Sequence, residues 1–396
     1  MIPAHQSSEI EQQPAYWSGV FAMTLCVFAL IASEFMPVSL LTPIAKDLSV
    51  TEGLAGYGIA ISGAFAVITS LSISRLARNI NRKTLLLGLT ALMAVSGAVV
   101  ALAPNYWVYM TGRALIGVVV GGFWSMSAAT AIRLVPTTQV PRALAIFNSG
   151  NALATVIAPP LGSYLGAMIG WRGAFFCLVP VAVLAFIWQW ISLPSLKNKA
   201  SISNSSEGIL NLLRQPIVLI GMSATGLLFM GQFSLYTYIR PFLETVTQTS
   251  VSTLSFTLFV IGVMGFIGTL LIGFALKRHF YGTLIAIPVL MAAIAFILIG
   301  FGTWTALVIV MLGIWGLLGT SAPVGWWSWI AQTFPNNAEA GGGLFVAIVQ
   351  LCIALGSTVG GLLFDHSGYQ MTFAMSAILL IISAALTLWV SRLKVA

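Results

Sequence analysis

The sequence predicts an all-α integral membrane protein with twelve transmembrane helices in two six-helix halves. The chain has 396 residues, of which 59% are hydrophobic and 7% are charged. Soluble domains carry about 25% charged residues, so this chain could not cover a water-facing surface. Its mean hydropathy is +1.00, and its apolar runs have membrane-spanning length. These observations argue against a soluble enzyme, a nucleic-acid-binding protein and a disordered chain.

The apolar runs form two groups of six. The first group covers 17–42, 53–74, 84–103, 106–134, 140–168 and 173–193. The second covers 216–239, 251–276, 282–302, 305–333, 341–364 and 371–391. The polar segment 194–215 predicts a linker between halves at 16–193 and 216–391. Residues 1–15 and 392–396 are predicted tails, and the first lacks the basic start of a cleaved signal peptide.

Lys and Arg residues predict the orientation. With a cytoplasmic N-terminus, 13 of the 17 fall inside, three (Lys46, Arg172 and Arg240) fall outside, and Arg113 lies within a span. This asymmetry predicts an inner-membrane protein with both termini cytoplasmic. The net charge of +8 therefore reflects topology rather than nucleic-acid binding. The role of Arg240, a gate or a helix anchor, stays open at this stage.

An internal repeat supports the division into halves. The fourth-span segment 122–126 (GFWSM) recurs in the tenth span as 325–329 (GWWSW). Similarly, 170–172 (GWR) after the fifth span corresponds to 368–370 (GYQ) after the eleventh. Matches in the same order at nearly one offset predict two parallel halves with a substrate cavity between them at mid-membrane.

Two charged residues, Glu34 and Arg113, lie well inside apolar runs. Burying each costs roughly 2.5–3.5 kcal/mol on insertion scales, so such residues are candidates for function. At 1.5 Å per residue, they lie about 12 Å and about 10 Å from the same membrane surface. They therefore meet if spans one and four are neighbours. Either they form a static ion pair, or Glu34 carries protons under the influence of Arg113; Pro37 is expected to bend the span there.

Aromatic and amide side chains are expected to line the cavity. The predicted substrate-binding residues are Trp124, Asn148, Asn151, Gln232, Tyr236 and Gln350; Phe123, Tyr238, Trp326 and Trp327 are further aromatic candidates. Amides are costly in lipid and need partners, whereas any single aromatic residue is more often a packing residue. Such a lining suits a flat purine or a sugar equally. No nucleotide-binding or protease motif is present, and the three histidines are scattered, so no cofactor or metal is expected.

The whole chain resembles the major facilitator superfamily, specifically its twelve-span drug/proton antiporter branch. Residues 113–117 (RALIG) resemble the span-four motif of this branch. The resemblance implies that Arg113 takes part in proton coupling and that Gly117 has a structural role. Residues 158–163 (APPLGS), with Pro159 and Gly162, resemble the span-five antiporter motif, although Ala158 replaces a glycine. In the loop 74–83, Arg78 stands where the superfamily has Asp, which puts the usual cytoplasmic charged latch in doubt.

Within this branch, the segments 34–43, 121–127, 231–233, 237–241 and 323–326 are most similar to purine ribonucleoside efflux pumps. The resemblance implies export of inosine- and guanosine-like solutes in exchange for protons. We expect a monomer that works by alternating access. The alternatives are a proton-coupled exporter of sugars or amphiphilic drugs, a passive facilitator, and a membrane receptor. The expected partners are protons, a small-molecule substrate and the lipid bilayer, with no nucleic acid.

Overall fold

The computed structural model describes residues 15–76, 80–195, 215–333 and 338–393, and no residue in these ranges lies in a β-strand. Helices pair most of their backbone groups internally, which is what a chain in a bilayer requires. Outside the described residues lie 1–14 of the predicted tail, 196–214 of the predicted linker, residues 394–396 and position 78.

The helices follow the predicted spans closely. The first half contains α1 (Trp17–Asp47), α2 (Glu52–Leu76), α3 (Arg82–Ala101), α4 (Tyr106–Trp124), α5 (Ser127–Arg133), a 3-10 turn (Thr137–Gln139), α6 (Val140–Phe176) and α7 (Leu178–Ser192). The second half contains α8 (Pro216–Tyr236), α9 (Ile239–Thr245), α10 (Val251–Arg278), α11 (Phe280–Phe301), α12 (Thr305–Thr333) and α13 (Ala338–Arg392).

Three spans that position the site differ from the prediction. The first span continues past Thr42 and through Pro43 to Asp47. The fourth span breaks at Met126, after Ser125 donates a hydrogen bond back to the carbonyl of Gly121 at 2.7 Å; such back-bonding by serine bends helices. The seventh span divides into α8 and the short α9.

The described helices supply twelve apolar segments when the two longest are divided at a glycine. Ten helical segments are long and apolar enough to span a membrane, and two of these, 142–192 and 344–392, have 51 and 49 residues. Each contains one glycine with φ of 77°, Gly170 in the first half and Gly368 in the second. Side chains with a Cβ rarely adopt this conformation, so glycine allows the chain to reverse within one residue. The equivalent positions of these two turns confirm the internal repeat.

Two of the buried apolar clusters draw mainly on one half each. The first belongs to the first half and includes Met23, Phe123 and Phe147. The larger one belongs mainly to the second half, including Trp315 and Trp326, and also takes in Val38 and Ile59 of the first half. A third cluster lies near Asp47 and includes Tyr238 of the second half. The halves are therefore joined at the end of the bundle that contains Asp47, Thr51, Arg172, Arg240 and Asp365, called here the Asp365 end.

The turn motif at Gly170 ties three helices of the first half together at this end. The indole nitrogen of Trp171 donates to Asp47 Oδ2 at 3.2 Å, and Arg172 Nη1 also binds this oxygen as an ion pair. Arg172 Nη2 donates to the carbonyl of Ala103 at 2.6 Å, after α3. The Arg172 and Asp47 side chains are about a third and a half exposed, so the ion pair itself contributes little and geometry matters more.

Candidate functional site

Glu34 lies in the middle of α1 and is 4% exposed. Its Oε1 accepts a hydrogen bond from Nε2 of Gln350 at 3.1 Å. Gln350 belongs to α13 in the second half and is 7% exposed. Therefore the buried carboxyl group of one half is held by an amide of the other.

Arg113 reaches α1 from α4, as its depth in the sequence predicted, and is 1% exposed. Its guanidinium binds main-chain oxygens: Nη1 donates to Ser33 at 2.7 Å, Nη2 to Glu34 at 2.8 Å, and Nε to Gly58 of α2 at 3.0 Å. A proline has no N–H, so Pro37 leaves the carbonyl of the residue four positions earlier without its helical partner. That residue is Ser33, which explains why a cation can bind α1 here.

The hypothesis of a direct Glu34–Arg113 ion pair is wrong for this arrangement. The two residues are neighbours, but within the described residues no ion pair of 4 Å or less joins their charged groups. The main-chain oxygens next to Pro37 take the guanidinium donors instead. Arg113 therefore acts on the Glu34 carboxyl group through the electrostatic field rather than through a bond.

The predicted ligands of the first half lie close in the chain but differ in exposure. Trp124 is half-buried and packs edge-to-face on Phe147, with ring centroids 6.2 Å apart. Asn148 is exposed, and its Nδ2 donates to Leu144 of its own helix at 2.9 Å. Asn151 is half-buried one turn further along α6. The three predicted ligands of the first half therefore range from half-buried to exposed.

Among the predicted ligands of the second half, Gln232 is half-buried between α8 and α12. Its Oε1 has no hydrogen-bond partner among the described atoms. A Cβ on Gly319 would lie 2.7 Å from its Nε2, so the missing side chain makes room for the amide. Tyr236, one turn along α8, is half-buried and packs edge-to-face on Phe233 at 5.9 Å.

Three of the further aromatic candidates are packing residues instead. Phe123 and Tyr238 are 0% exposed, and Trp326 is 1% exposed. Phe123 stacks on Phe147, while Trp326 contacts Trp329. Large aromatic side chains bury the most apolar area per residue, so the core uses them first. Trp327, by contrast, is 43% exposed.

The motif residues pack helices together within the first half. A Cβ on Gly117 would lie 2.2 Å from the carbonyl oxygen of Ser62, so α4 and α2 touch there. A Cβ on Gly162 would lie 2.7 Å from Ser39 Oγ on α1, and Pro159 is buried inside α6 nearby. Small residues permit such close approach of membrane helices.

The Asp365 end carries a set of contacts that join the two halves. Asp365, on α13, accepts hydrogen bonds from Thr51 Oγ1 at 2.5 Å and from the N–H of Gly53 at 3.0 Å. These donors belong to the first turn of α2, where unsatisfied N–H groups and the helix dipole favour an anion. The second half therefore caps a helix of the first half.

Tyr238 extends the contact between α2 and α13 beyond Asp365. Its hydroxyl donates to the carbonyl of Ser357 at 2.7 Å, and a Cβ on Gly56 of α2 would lie 2.3 Å from that hydroxyl oxygen. Further along, a Cβ on Gly63 would lie 2.8 Å from the carbonyl oxygen of Gln350. Hence α2 and α13 touch from Asp365 down to the level of Glu34.

Arg240 also bridges the halves, a role that the sequence left open. It lies on α9, is 5% exposed, and donates through Nη1 to the carbonyl of Ser39 on α1. Its Nε binds Glu244 Oε1 at 2.8 Å. Ser39 is four residues before Pro43, which again frees a carbonyl. A proline four residues after the acceptor is the sequence signal that would have located this contact.

Within the described residues, no group of three or more His, Cys, Asp or Glu side chains could hold a metal ion. In the loop 74–83, Asn81 begins α3: its Oδ1 accepts from the N–H of Lys83 at 2.9 Å, and its Nδ2 donates to Ser195 at 2.7 Å. The loop thus contacts the start of the predicted linker.

The sequence profile of the Major Facilitator Superfamily matches residues 23–357. The chain belongs to this superfamily. A relative from Pseudomonas aeruginosa, named transcription regulatory protein OpdE, is 64% identical over 390 residues, which cover 98% of this chain and 97% of the relative. The purine ribonucleoside efflux pump NepI of Salmonella enteritidis is 38% identical over 368 residues, covering 93% and 92%.

Solved structures support the same fold for this superfamily member. The nucleoside transporter NupG aligns with a TM-score of 0.79 at 12% identity, covering 94% of this chain and 99% of NupG. A bacterial homologue of the human lysosomal transporter Spinster aligns with a TM-score of 0.77 at 15% identity, covering 96% and 98%. The protein is therefore a multi-pass membrane transporter of the superfamily and not an enzyme.

Proposed function

We propose that this transporter exports purine ribonucleosides such as inosine and guanosine across the bacterial inner membrane in exchange for protons. The observation that carries the proposal is the buried Glu34 carboxyl group of one half bonded to Gln350 of the other. A carboxyl group in this position can gain and lose a proton as the halves move. The similarity to NepI supports the choice of substrate.

Alternating access follows from the division into halves. In the proposed orientation both termini are cytoplasmic, and the Asp365 end faces outward. The contacts of Asp365 and Arg240 then close the outer side, so this arrangement is closed to the outside. Breaking them would expose Glu34 to the outside, where it takes a proton. Inward movement of that proton supplies about 2.3 kcal/mol per 100 mV.

The substrate site is proposed between the amides of the two halves. Asn148 and Asn151 stand on α6, with Trp124 nearby on α4, and Gln232 and Tyr236 stand on α8. Amide groups match the donors and acceptors of a purine edge, and the half-buried indole of Trp124 suits a flat ring. Such groups bind neutral solutes without burying a further charge.

Everted membrane vesicles test the proposal. The lumen is made acid relative to the medium, and uptake of labelled inosine is measured for the wild type, Glu34→Gln and Glu207→Gln. The last variant is a matched control, because it makes the same chemical change in the predicted linker. We expect gradient-driven uptake by the wild type and Glu207→Gln, and its loss in Glu34→Gln.

Each rival function predicts a different outcome. If an arabinose or drug probe moves while inosine does not, the carrier exports other solutes. If a protonophore leaves accumulation unchanged, or if Glu34→Gln is driven like the wild type, the proton assignment is wrong. Binding of inosine without flux would indicate a receptor.

The relative named OpdE suggests a second, compatible outcome: an effect on transcription. A carrier that removes a small-molecule inducer alters gene expression without touching DNA. Transcript profiles of a deletion strain complemented with wild type or Glu34→Gln would separate the two routes. If Glu34→Gln restores the transcript pattern, the effect does not depend on proton-driven transport.

A further inference from the structure

Gln350 is held by Glu34 and by little else. Its Nε2 donates to the Glu34 carboxyl group, while its Oε1 is buried without a hydrogen-bond partner among the described atoms. A buried amide is costly unless its polar groups are paired. The bond to Glu34 is therefore the interaction that orients this side chain.

The backbone at Gln350 is part of the contact between the halves. A Cβ on Gly63 of α2 would lie 2.8 Å from the carbonyl oxygen of Gln350 and 3.1 Å from Cβ of Ala354. Because α2 and α13 belong to different halves, movement that opens the Asp365 end changes the position of Gln350 relative to Glu34. The hydrogen bond between the two side chains consequently belongs to one arrangement of the halves.

We propose that Gln350 is a positioning residue that makes the second half respond to the charge of Glu34, so that protonation and movement of the halves are coupled. This inference rests on the proton-coupled transport proposed above. It assigns Gln350 to proton coupling, whereas the sequence suggested a substrate ligand.

The chemistry of the bond gives the direction of the coupling. An amide N–H stabilises an ionised carboxylate, since the bond is charge-assisted. Among the described side chains, Arg113 is the charged group that acts on Glu34, with Tyr109 beside Arg113. Arg113 stays bound to oxygens of the first half, and Arg240 meets α1 further along, at Ser39. Gln350 is thus the donor that reaches the carboxylate from the other half.

Linkage then makes the coupling reciprocal. The bond from Gln350 contributes to stabilising the ionised form of Glu34 while the Asp365 end is closed. In the proposed orientation, this is where the proton leaves to the cytoplasm. When the halves separate at the Asp365 end, the bond and its stabilisation of the carboxylate are lost, so proton binding from the outside is linked to this movement.

Purified carrier in proteoliposomes tests Gln350→Leu against wild type, Glu34→Gln and Thr358→Val. Thr358 is the matched control on the same helix, because among the described atoms its hydroxyl donates only to the carbonyl of Ala354 of that helix, at 2.8 Å. Two rates are measured with labelled inosine: exchange at equal pH on both sides, and accumulation driven by a pH gradient. Exchange needs no net proton movement and reports that each variant is folded.

For Gln350→Leu we expect exchange with an unchanged KM, and accumulation reduced about tenfold, which is the effect of one lost bond of about 1.4 kcal/mol. Raising the pH on the proton-accepting side by about one unit should restore accumulation, since this offsets a tenfold change in proton release. Thr358→Val should resemble the wild type in both rates.

The outcomes separate the two proposals. If Gln350→Leu raises the KM for exchange and is not rescued by pH, Gln350 is a substrate ligand and the inference is wrong. It is also wrong if Gln350→Leu accumulates inosine like the wild type while Glu34→Gln does not. If wild type and Glu34→Gln behave alike in the gradient, it is the proposed proton coupling at Glu34 that fails.

Discussion

Arg113 and Arg240 are two buried arginines that make the same kind of hydrogen bond to α1 at different places. Each donates to a carbonyl of α1 that a proline four residues later has left without its helical partner. Arg113 lies in the same half as α1, and its three bonds to main-chain oxygens stay within that half. Arg240 lies in the other half, so its bond to Ser39 crosses the boundary between them.

The difference concerns which contacts can change during transport. A bond inside one half moves with that half and serves its structure and its electrostatic field. A bond between halves must break when they separate, so it contributes to the balance between the two arrangements. The two prolines of α1 therefore create one permanent and one conditional attachment point on the same helix.

The largest effect is expected from Arg113→Ala. It leaves the carbonyl of Ser33 buried and unpaired, at a cost of about 1–3 kcal/mol, and removes the positive field at Glu34. Both the amount of folded carrier and inosine exchange should fall strongly. Arg142→Ala is the control, because Arg142 is exposed and lies over the Trp17 ring at 5.3 Å. Near-normal exchange in Arg113→Ala would contradict a permanent structural role.

Arg240→Ala should leave the carrier folded but shift it away from the arrangement closed at the Asp365 end. A lost charged hydrogen bond of about 1.5–3 kcal/mol corresponds to roughly a 10–100-fold shift in that balance. Spin labels placed at Leu48 and Thr303 would report the separation of the two halves at this end. An unchanged distance distribution would show that Arg240 only anchors its own helix.

Pro43→Ala should reproduce part of the Arg240→Ala effect. The restored N–H of residue 43 competes for the carbonyl of Ser39, while Arg240 keeps its bond to Glu244. A smaller population shift is expected, and the double variant should show little more than Arg240→Ala alone. Pro37→Ala, the equivalent change beside Arg113, should impair exchange without altering the spin-label distances. Additive effects in the double variant would show that Pro43 does not act through the Arg240 contact.

Asp365→Asn should have the smallest effect. It keeps an oxygen acceptor for Thr51 and Gly53 but removes the negative charge from the start of α2, which is worth about 0.3–1 kcal/mol. A shift of roughly two- to five-fold toward the separated arrangement is expected in the same spin-label measurement. Thr51→Val, which removes one donor and keeps the charge, is the comparison. A shift larger than that of Arg240→Ala would reverse the order proposed here.

The sequence predicts the fold well because the length of each apolar run and the positions of the glycines determine local structure. The repeat around Gly170 and Gly368 could be recognised from sequence similarity, and both residues make the same turn. The meeting of Glu34 and Arg113 followed from depth alone. The acceptors of the Arg113 guanidinium could not be predicted in this way, because they include a carbonyl that Pro37 leaves without its helical partner. Contacts between halves, such as Gln350 to Glu34 and Arg240 to Ser39, join residues more than 200 positions apart and leave no local periodicity to detect.

The turns at Gly170 and Gly368 also limit how the protein can be handled. A reversal made by one residue joins helix to helix without a connecting loop, so proteases, antibodies and inserted epitopes have no chain to engage between these helices. An inserted tag or a split site there would separate Trp171 and Arg172 from Asp47, or Tyr369 from Phe242. Reporter sequences are better tolerated in the predicted linker 194–215, where the two halves are covalently joined.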